Sequence, residues 1–176
     1  MNIDSVKLKS LEKLAEQIRK DSIWMSTRAG TGHLGPALSI SDIIAVLYGE
    51  IMKYDPKNPS WPDRDRFILS KGHGCLALYS ALAQCGYFDR TLLGEFCNRL
   101  DTMLPGHPER KLPGVEANTG SLGHGIAIGM GMAMAGKLAN KDYRVFVITG
   151  DGELQEGSNW EAAMAAAHHK LDNLVV

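Results

Sequence analysis

Two kinds of side chain in this sequence could do chemistry, and both sit beside glycine. The first is Asp151 in Gly150-Asp151-Gly152, where flanking glycines let the backbone turn sharply and approach a ligand closely. Its carboxylate is a hard oxygen donor, and magnesium commonly takes one or two such carboxylates plus phosphate oxygens. A tight turn in which Asp151 caps the following helix uses the same three residues, so both readings stand at this point. The second kind is histidine. Four of the six histidines directly follow a glycine: His33, His73, His107 and His124. On such loops an imidazole can donate to phosphate or hydroxyl oxygens and exchange protons near neutral pH. Taken singly, each is better explained as a surface or capping residue. Their separations of 40, 34 and 17 residues do not fit a compact zinc motif. His168 and His169 are neighbours on a helix, cannot share a face, and read as structural.

The remaining candidates are weaker. Gly120-Ser121-Leu122-Gly123-His124-Gly125 is a glycine-rich turn, but no clear strand precedes it. Glu116 lies before it, where a dinucleotide fingerprint needs an acid after it. Gly129 and Gly131 in the next helix point to close packing. Glu153, Glu156 and Glu161 suit the start of a helix through its dipole. Cys75 has no base and orienting group around it and reads as a small core residue. Trp24, Trp61 and Trp160 read as packing residues.

The elements that must position these residues follow from the apolar pattern. Leu8, Leu11, Leu14, Ala15, Ile18 and Met25 predict an amphipathic helix over 5–26, with a loop at 29–36. Ser39 or Ser41 can cap a second helix reaching Glu50, with Ile43, Ile44, Leu47 and Ile51 on its buried face. Three prolines make 55–62 a long turn. Phe67-Ile68-Leu69 reads as a short buried strand, followed by a helix over 76–84. Thr91 can cap a helix to Arg99, and a Pro/Gly-rich stretch follows from Pro105 to Gly114. The last third predicts a helix over 126–138, a strand over 143–149, a helix over 158–169 and a strand from Leu174. That alternation gives an α/β fold, a parallel sheet with helices on both faces. In such sheets ligands bind beyond the carboxyl ends of the strands, where Gly150-Asp151-Gly152 lies.

Composition narrows the classes of function. The chain has 176 residues, 19 Lys+Arg against 20 Asp+Glu, and a net charge of −1. This removes the electrostatic case for nucleic acid or an anionic membrane as main partner. Hydrophobic residues at 44% and charged residues at 22% fit a globular protein with one core. Three cysteines without a CxxC pair suggest neither a disulfide framework nor a zinc ribbon. The N-terminal residues carry charges every few positions, unlike a signal peptide, and no uninterrupted apolar run has the length of a membrane span. A reduced, soluble, cytoplasmic protein is the expectation these features set.

Five stretches, taken together and in order, carry a resemblance: TGHLG at 31–35, DRFILSKGH at 65–73, PGHPE at 105–109, TGSLGHG at 119–125 and GDGELQEGSNWEA at 150–162. The chain resembles the thiamine diphosphate enzymes of the transketolase type, most closely the N-terminal subunit of split transketolases. Deoxyxylulose-phosphate synthases and the E1 components of 2-oxo acid dehydrogenases share the GDG but usually lack the pairing of PGHPE with LQEG. The resemblance implies that residues 1–176 are the front portion of a diphosphate-binding (PP-type) domain. It implies thiamine diphosphate and magnesium, with calcium or manganese as substitutes, as cofactors. Asp151 is similar to the family's metal ligand and Gly152 to the glycine whose backbone meets the diphosphate. His73 matches a histidine near the diphosphate and thiazolium, and His33 and His107 match histidines that bind the donor ketose. Gly120 and Leu122 match positions lining the aminopyrimidine pocket, with Ser121 where some members carry proline. Glu156 and Glu161 match acidic residues at a contact between two copies.

The implied reaction is transfer of a two-carbon unit from a ketose phosphate to an aldose phosphate. The implied partner is a C-terminal, pyrimidine-domain subunit, to which the glutamate that activates the aminopyrimidine belongs. The resemblance places a second magnesium ligand, an asparagine, near position 181, beyond Val176; Asn173 falls too early for it. A chain cut short before that ligand, catalytically inactive and with a binding or assembly role only, is therefore the alternative expectation. A nucleotide-binding module without catalysis is a third.

Overall fold

The computed structural model describes residues 4–176. They run through α1 (Ser5–Ala29), α2 (Leu34–Val46), β1 (Arg66–Leu69), α3 (Cys75–Gln84), α4 (Gly125–Leu138), β2 (Val145–Ile148), α5 (Gly157–His168) and β3 (Leu174–Val175). A π turn at Leu47–Ile51 and 3-10 turns at Gly72–Gly74, Arg90–Glu95 and Gly152–Gln155 lie between them. Contacts divide the chain into two units. One comprises the chain up to Met52 with His73–Gly106; the other comprises Lys53–Gly72 with His107–Val176.

The second unit holds the sheet. Its strands pair in the order β1-β2-β3, all parallel, with Arg66 opposite Val145, Leu69 opposite Ile148 and Val145 opposite Leu174. This is the α/β class that alternating helices and apolar strands imply. Phe67, Ile68, Leu69, Val145, Phe146 and Val147 are all buried, so both faces of the strands are out of water and the strands read as continuous apolar runs. Ile126 and Ala133 of α4 and Ala162 of α5 join Ile68, Tyr143, Val145, Val147 and Leu171 in one core cluster. Gly129 explains how closely α4 lies on the sheet: a Cβ there would fall 2.6 Å from Val147 Cγ2. Gly131 differs from expectation, because a Cβ there would meet nothing within 4 Å.

A buried charge fixes the entry to the sheet. The Asp65 carboxylate, 2% exposed, accepts from the backbone N–H of Lys53 at 2.9 Å and of Arg144 at 2.7 Å. The Arg144 guanidinium donates to it as well, at 2.7 Å. Arg64 forks onto Glu116 with bonds of 2.9 and 2.7 Å, a bidentate geometry that fixes orientation as well as charge. The start of the DRFILSKGH stretch is thereby tied to β2 and to the 107–125 segment.

The first unit is helical: α1, α2 and α3 pack on one another. Asp4 caps α1 by accepting from Val6 N–H at 3.1 Å, and Gly30 closes it in the left-handed region. α2 departs from expectation. It begins at Leu34 with His33 in the capping position, and Pro36 fits the first turn, where an N–H would lack an intrahelical partner. Ser39 and Ser41 do not cap; their hydroxyls donate back to the carbonyls of Pro36 and Ala37, each at 3.0 Å. Ile44 and Leu47 are buried as expected, but Ile43 and Ile51 face solvent.

Leu34–Ile51 is long and apolar enough to cross a membrane by length and composition alone. Ala37, Ile40 and Ile44 are nevertheless buried, and α2 packs on α1 and α3, as the core helix of its unit does. The helix expected from Thr91 to Arg99 is instead the short 3-10 turn Arg90–Glu95, capped by Asp89, which accepts from Thr91 N–H at 2.8 Å. Cys97 ends any helical course by turning left-handed, φ 49°, with its N–H directed to the Leu104 carbonyl at 3.0 Å.

Candidate functional site

Asp151 stands just past the carboxyl end of β2, and its side chain is exposed. The 3-10 turn Gly152–Gln155 follows it directly, yet the carboxylate makes no capping bond, so the helix-cap reading is not what the chain adopts. A Cβ on Gly152 would meet nothing within 4 Å, which leaves that backbone open to a ligand's close approach. Among the described residues no group of three or more His, Cys, Asp or Glu side chains gathers as a metal site. A divalent cation at Asp151 would share this carboxylate with other oxygen donors, as magnesium does when it takes a carboxylate together with polyphosphate oxygens. The donor set fits that use.

Behind the loop lies Glu153, 2% exposed. Its Oε1 accepts from the Ser70 hydroxyl and from Gly123 N–H at 2.9 Å; its Oε2 accepts from Gly150 N–H at 2.9 Å. Ser70 Oγ in turn accepts from Gly125 N–H at 3.0 Å. Asn159 Nδ2 donates to the Glu153 carbonyl at 2.6 Å. Lys71 is also buried here: burial pushes its ammonium below the usual lysine range, against the opposing pull of Asp151 and Glu153. Sequence reasoning passed over both residues. A lysine immediately after an apolar strand was the available signal for one; Glu153 looked like an acid suited to a helix start.

The other candidate residues fall into two sets. In the helical unit, the rings of His33 and His73 meet edge to face, with centroids 5.5 Å apart. His33 is exposed and His73 half-buried. In the sheet unit, a Cβ on Gly120 would lie 2.9 Å from His107 Cδ2, so His107 rests on the glycine turn. Gly72 packs on the same turn: its Cβ would fall 2.8 Å from Gly120 N and from the Thr119 carbonyl carbon and oxygen. Leu122, on that turn, is 38% exposed. Gly123 adopts φ +86°, and a side chain there would strike Glu156 and Ser158. Glu156, Glu161 and His124 are exposed. Cys75, in the helical unit, is pushed up to about 12 by burial, with Cys97 adding to the effect, which makes it a poor nucleophile.

Comparison with known proteins shows the family. The family model described as transketolase, thiamine diphosphate binding domain, matches residues 10–176. The chain belongs to that family. It is 44% identical, over its whole length, to an apulose-4-phosphate transketolase subunit of Actinobacillus succinogenes, covering 64% of that protein. Over 94% of its length it is 47% identical to the 6-deoxy-6-sulfo-D-fructose transketolase subunit SqwG of a Clostridium species, covering 60% of it. The crystal structure of transketolase from Campylobacter jejuni superimposes with a TM-score of 0.89 at 41% identity, covering 99% of this chain and 28% of that one. The chain thus spans less than two thirds of the length of these relatives.

Proposed function

We propose that residues 1–176 are the front portion of the diphosphate-binding domain of a split transketolase subunit. The subunit works with a pyrimidine-domain partner to move a two-carbon unit from a ketose phosphate to an aldose phosphate. The observation that carries this reading is the uncapped, exposed Asp151 at the end of a parallel strand, beside an open Gly152 backbone. Family membership and the subunit names of the relatives support it.

Asp151 would hold magnesium, or calcium or manganese in its place, and Gly152 would present its backbone to the diphosphate. Thiamine diphosphate supplies, when bound, the electron sink for cleaving and forming the carbon–carbon bond. The work of this chain's own residues is to bind and orient. Gly120 and Leu122 shape an apolar wall for the cofactor's ring. His33, His73 and His107 present imidazoles that donate to a sugar hydroxyl or accept its proton. Glu156 and Glu161 are exposed and available for contact with a second copy. The subunit would work in the cytoplasm.

Calorimetric titration with thiamine diphosphate tests the cofactor step. Binding should require magnesium and disappear in Asp151→Ala; magnesium-independent binding, or none, would count against the reading. Turnover of a ketose phosphate with an aldose phosphate, on addition of the partner subunit, tests the reaction.

A further inference from the structure

The buried Glu153 carboxylate meets three donors from three separate stretches: Ser70 just past β1, Gly123 before α4, and Gly150 just past β2. Two of these donors are backbone N–H groups of glycines outside any helix or strand. Both oxygens are used, Oε1 twice and Oε2 once, and the network extends through Ser70 Oγ to Gly125 N–H. A buried carboxylate is costly unless it is hydrogen-bonded, and here every bond it accepts fixes a loop. Oε2 holds the Thr149–Gly150 peptide, so the clamped residue, Gly150, is the one immediately before Asp151.

From this we infer that Glu153 is a positioning residue for the metal–diphosphate site: it sets where the Asp151 carboxylate stands by clamping Gly150, and ties that loop to the Gly120–Gly125 turn. It touches neither metal nor cofactor and acts through Gly150 and Gly123. The inference rests on the proposed function for its consequence in binding, while the clamp itself stands on the hydrogen bonds alone.

Glu153→Gln separates the two oxygens. An amide has one acceptor, so its oxygen can keep Ser70 and Gly123 while its NH2 faces the Gly150 N–H, a donor against a donor. The Gly150 amide is then released. Ser70→Ala is the control, because it removes one bond to the same carboxylate and leaves the Gly150 clamp in place. Hydrogen exchange on the unliganded chain should show the Gly150 amide quickened at least about tenfold in Glu153→Gln, relative to Val147, and unchanged in Ser70→Ala. Titration with thiamine diphosphate and magnesium should show the dissociation constant raised roughly 10- to 100-fold in Glu153→Gln, the usual effect of losing a group that orients a ligand, and near wild type in Ser70→Ala.

Unchanged Gly150 exchange, or wild-type affinity in Glu153→Gln, would overturn the inference. If the wild type binds no cofactor, the proposed function fails and the exchange result still decides the clamp. If Glu153→Gln does not fold, the wild type alone is decisive: a scalar coupling across the hydrogen bond, from the Gly150 nitrogen to the Glu153 carboxyl carbon, should be seen, and its absence overturns the inference.

Discussion

The Asp21 carboxylate, 3% exposed, shows how single residues set the stability of the helical unit. It accepts from Gln17 Nε2 at 2.9 Å, from Ser80 Oγ and Gln84 Nε2 at 2.8 Å each, and from Arg90. Burial raises its pKa, but the bonds from Arg90, Ser80, Gln84 and Gln17 outweigh this and leave it below the ordinary 3.8. A carboxyl depressed in the fold stabilises above its unfolded value, and the contribution is lost as pH falls through the folded one. Asp21→Ala should therefore cost about 2–4 kcal/mol in urea unfolding at neutral pH. The gap between wild type and mutant should be flat well above pH 3.8 and shrink below it; a gap that widens in acid would refute the assignment. Sequence made Asp151 and the glycine-flanked histidines visible because residue type and immediate neighbours carry their signal. Glu153 and Asp21 escaped because their partners lie far along the chain: Ser70 is 83 residues from Glu153, and Ser80 is 59 from Asp21.

At the scale of elements, α4 carries two glycines with opposite constraints. At Gly129 a methyl would collide with Val147 Cγ2 at 2.6 Å and crowd Leu174 Cδ1 at 3.3 Å; at Gly131 it would meet open space. Alanine improves helix propensity by about 1 kcal/mol at either site, but overpacking costs about 1–3 kcal/mol. Gly131→Ala should raise the melting temperature and Gly129→Ala lower it. Equal shifts of the same sign would show that α4 does not lie on β2 as described. The strands and long helices were legible from local pattern, an apolar run in Arg66–Leu69 and apolar residues at three-or-four spacing in Ser5–Ala29. The start of α2 was not, since its first turn contains Gly35 and Pro36, which read as loop residues. The 91–99 helix failed because a left-handed Cys97 and its bond to Leu104 are tertiary choices.

For the whole molecule, 19 basic and 20 acidic residues nearly cancel, leaving a net charge of −1. Charges this closely balanced put the isoelectric point in a narrow window about pH 6.6. Electrophoretic mobility should change sign in that window, with solubility lowest there; mobility that stays anodic well into acid would exclude it. The chain passes between its two units after Met52, Gly72 and Gly106, so neither is one continuous segment. The Glu153 bonds have the same character, since Ser70, Gly123 and Gly150 come from separate stretches. For protein design, Gly150-Asp151-Gly152 is consequently not a transplantable cassette. A graft onto another parallel sheet must bring the serine past the neighbouring strand, the glycine turn and the buried glutamate together, or the carboxylate arrives without its anchor.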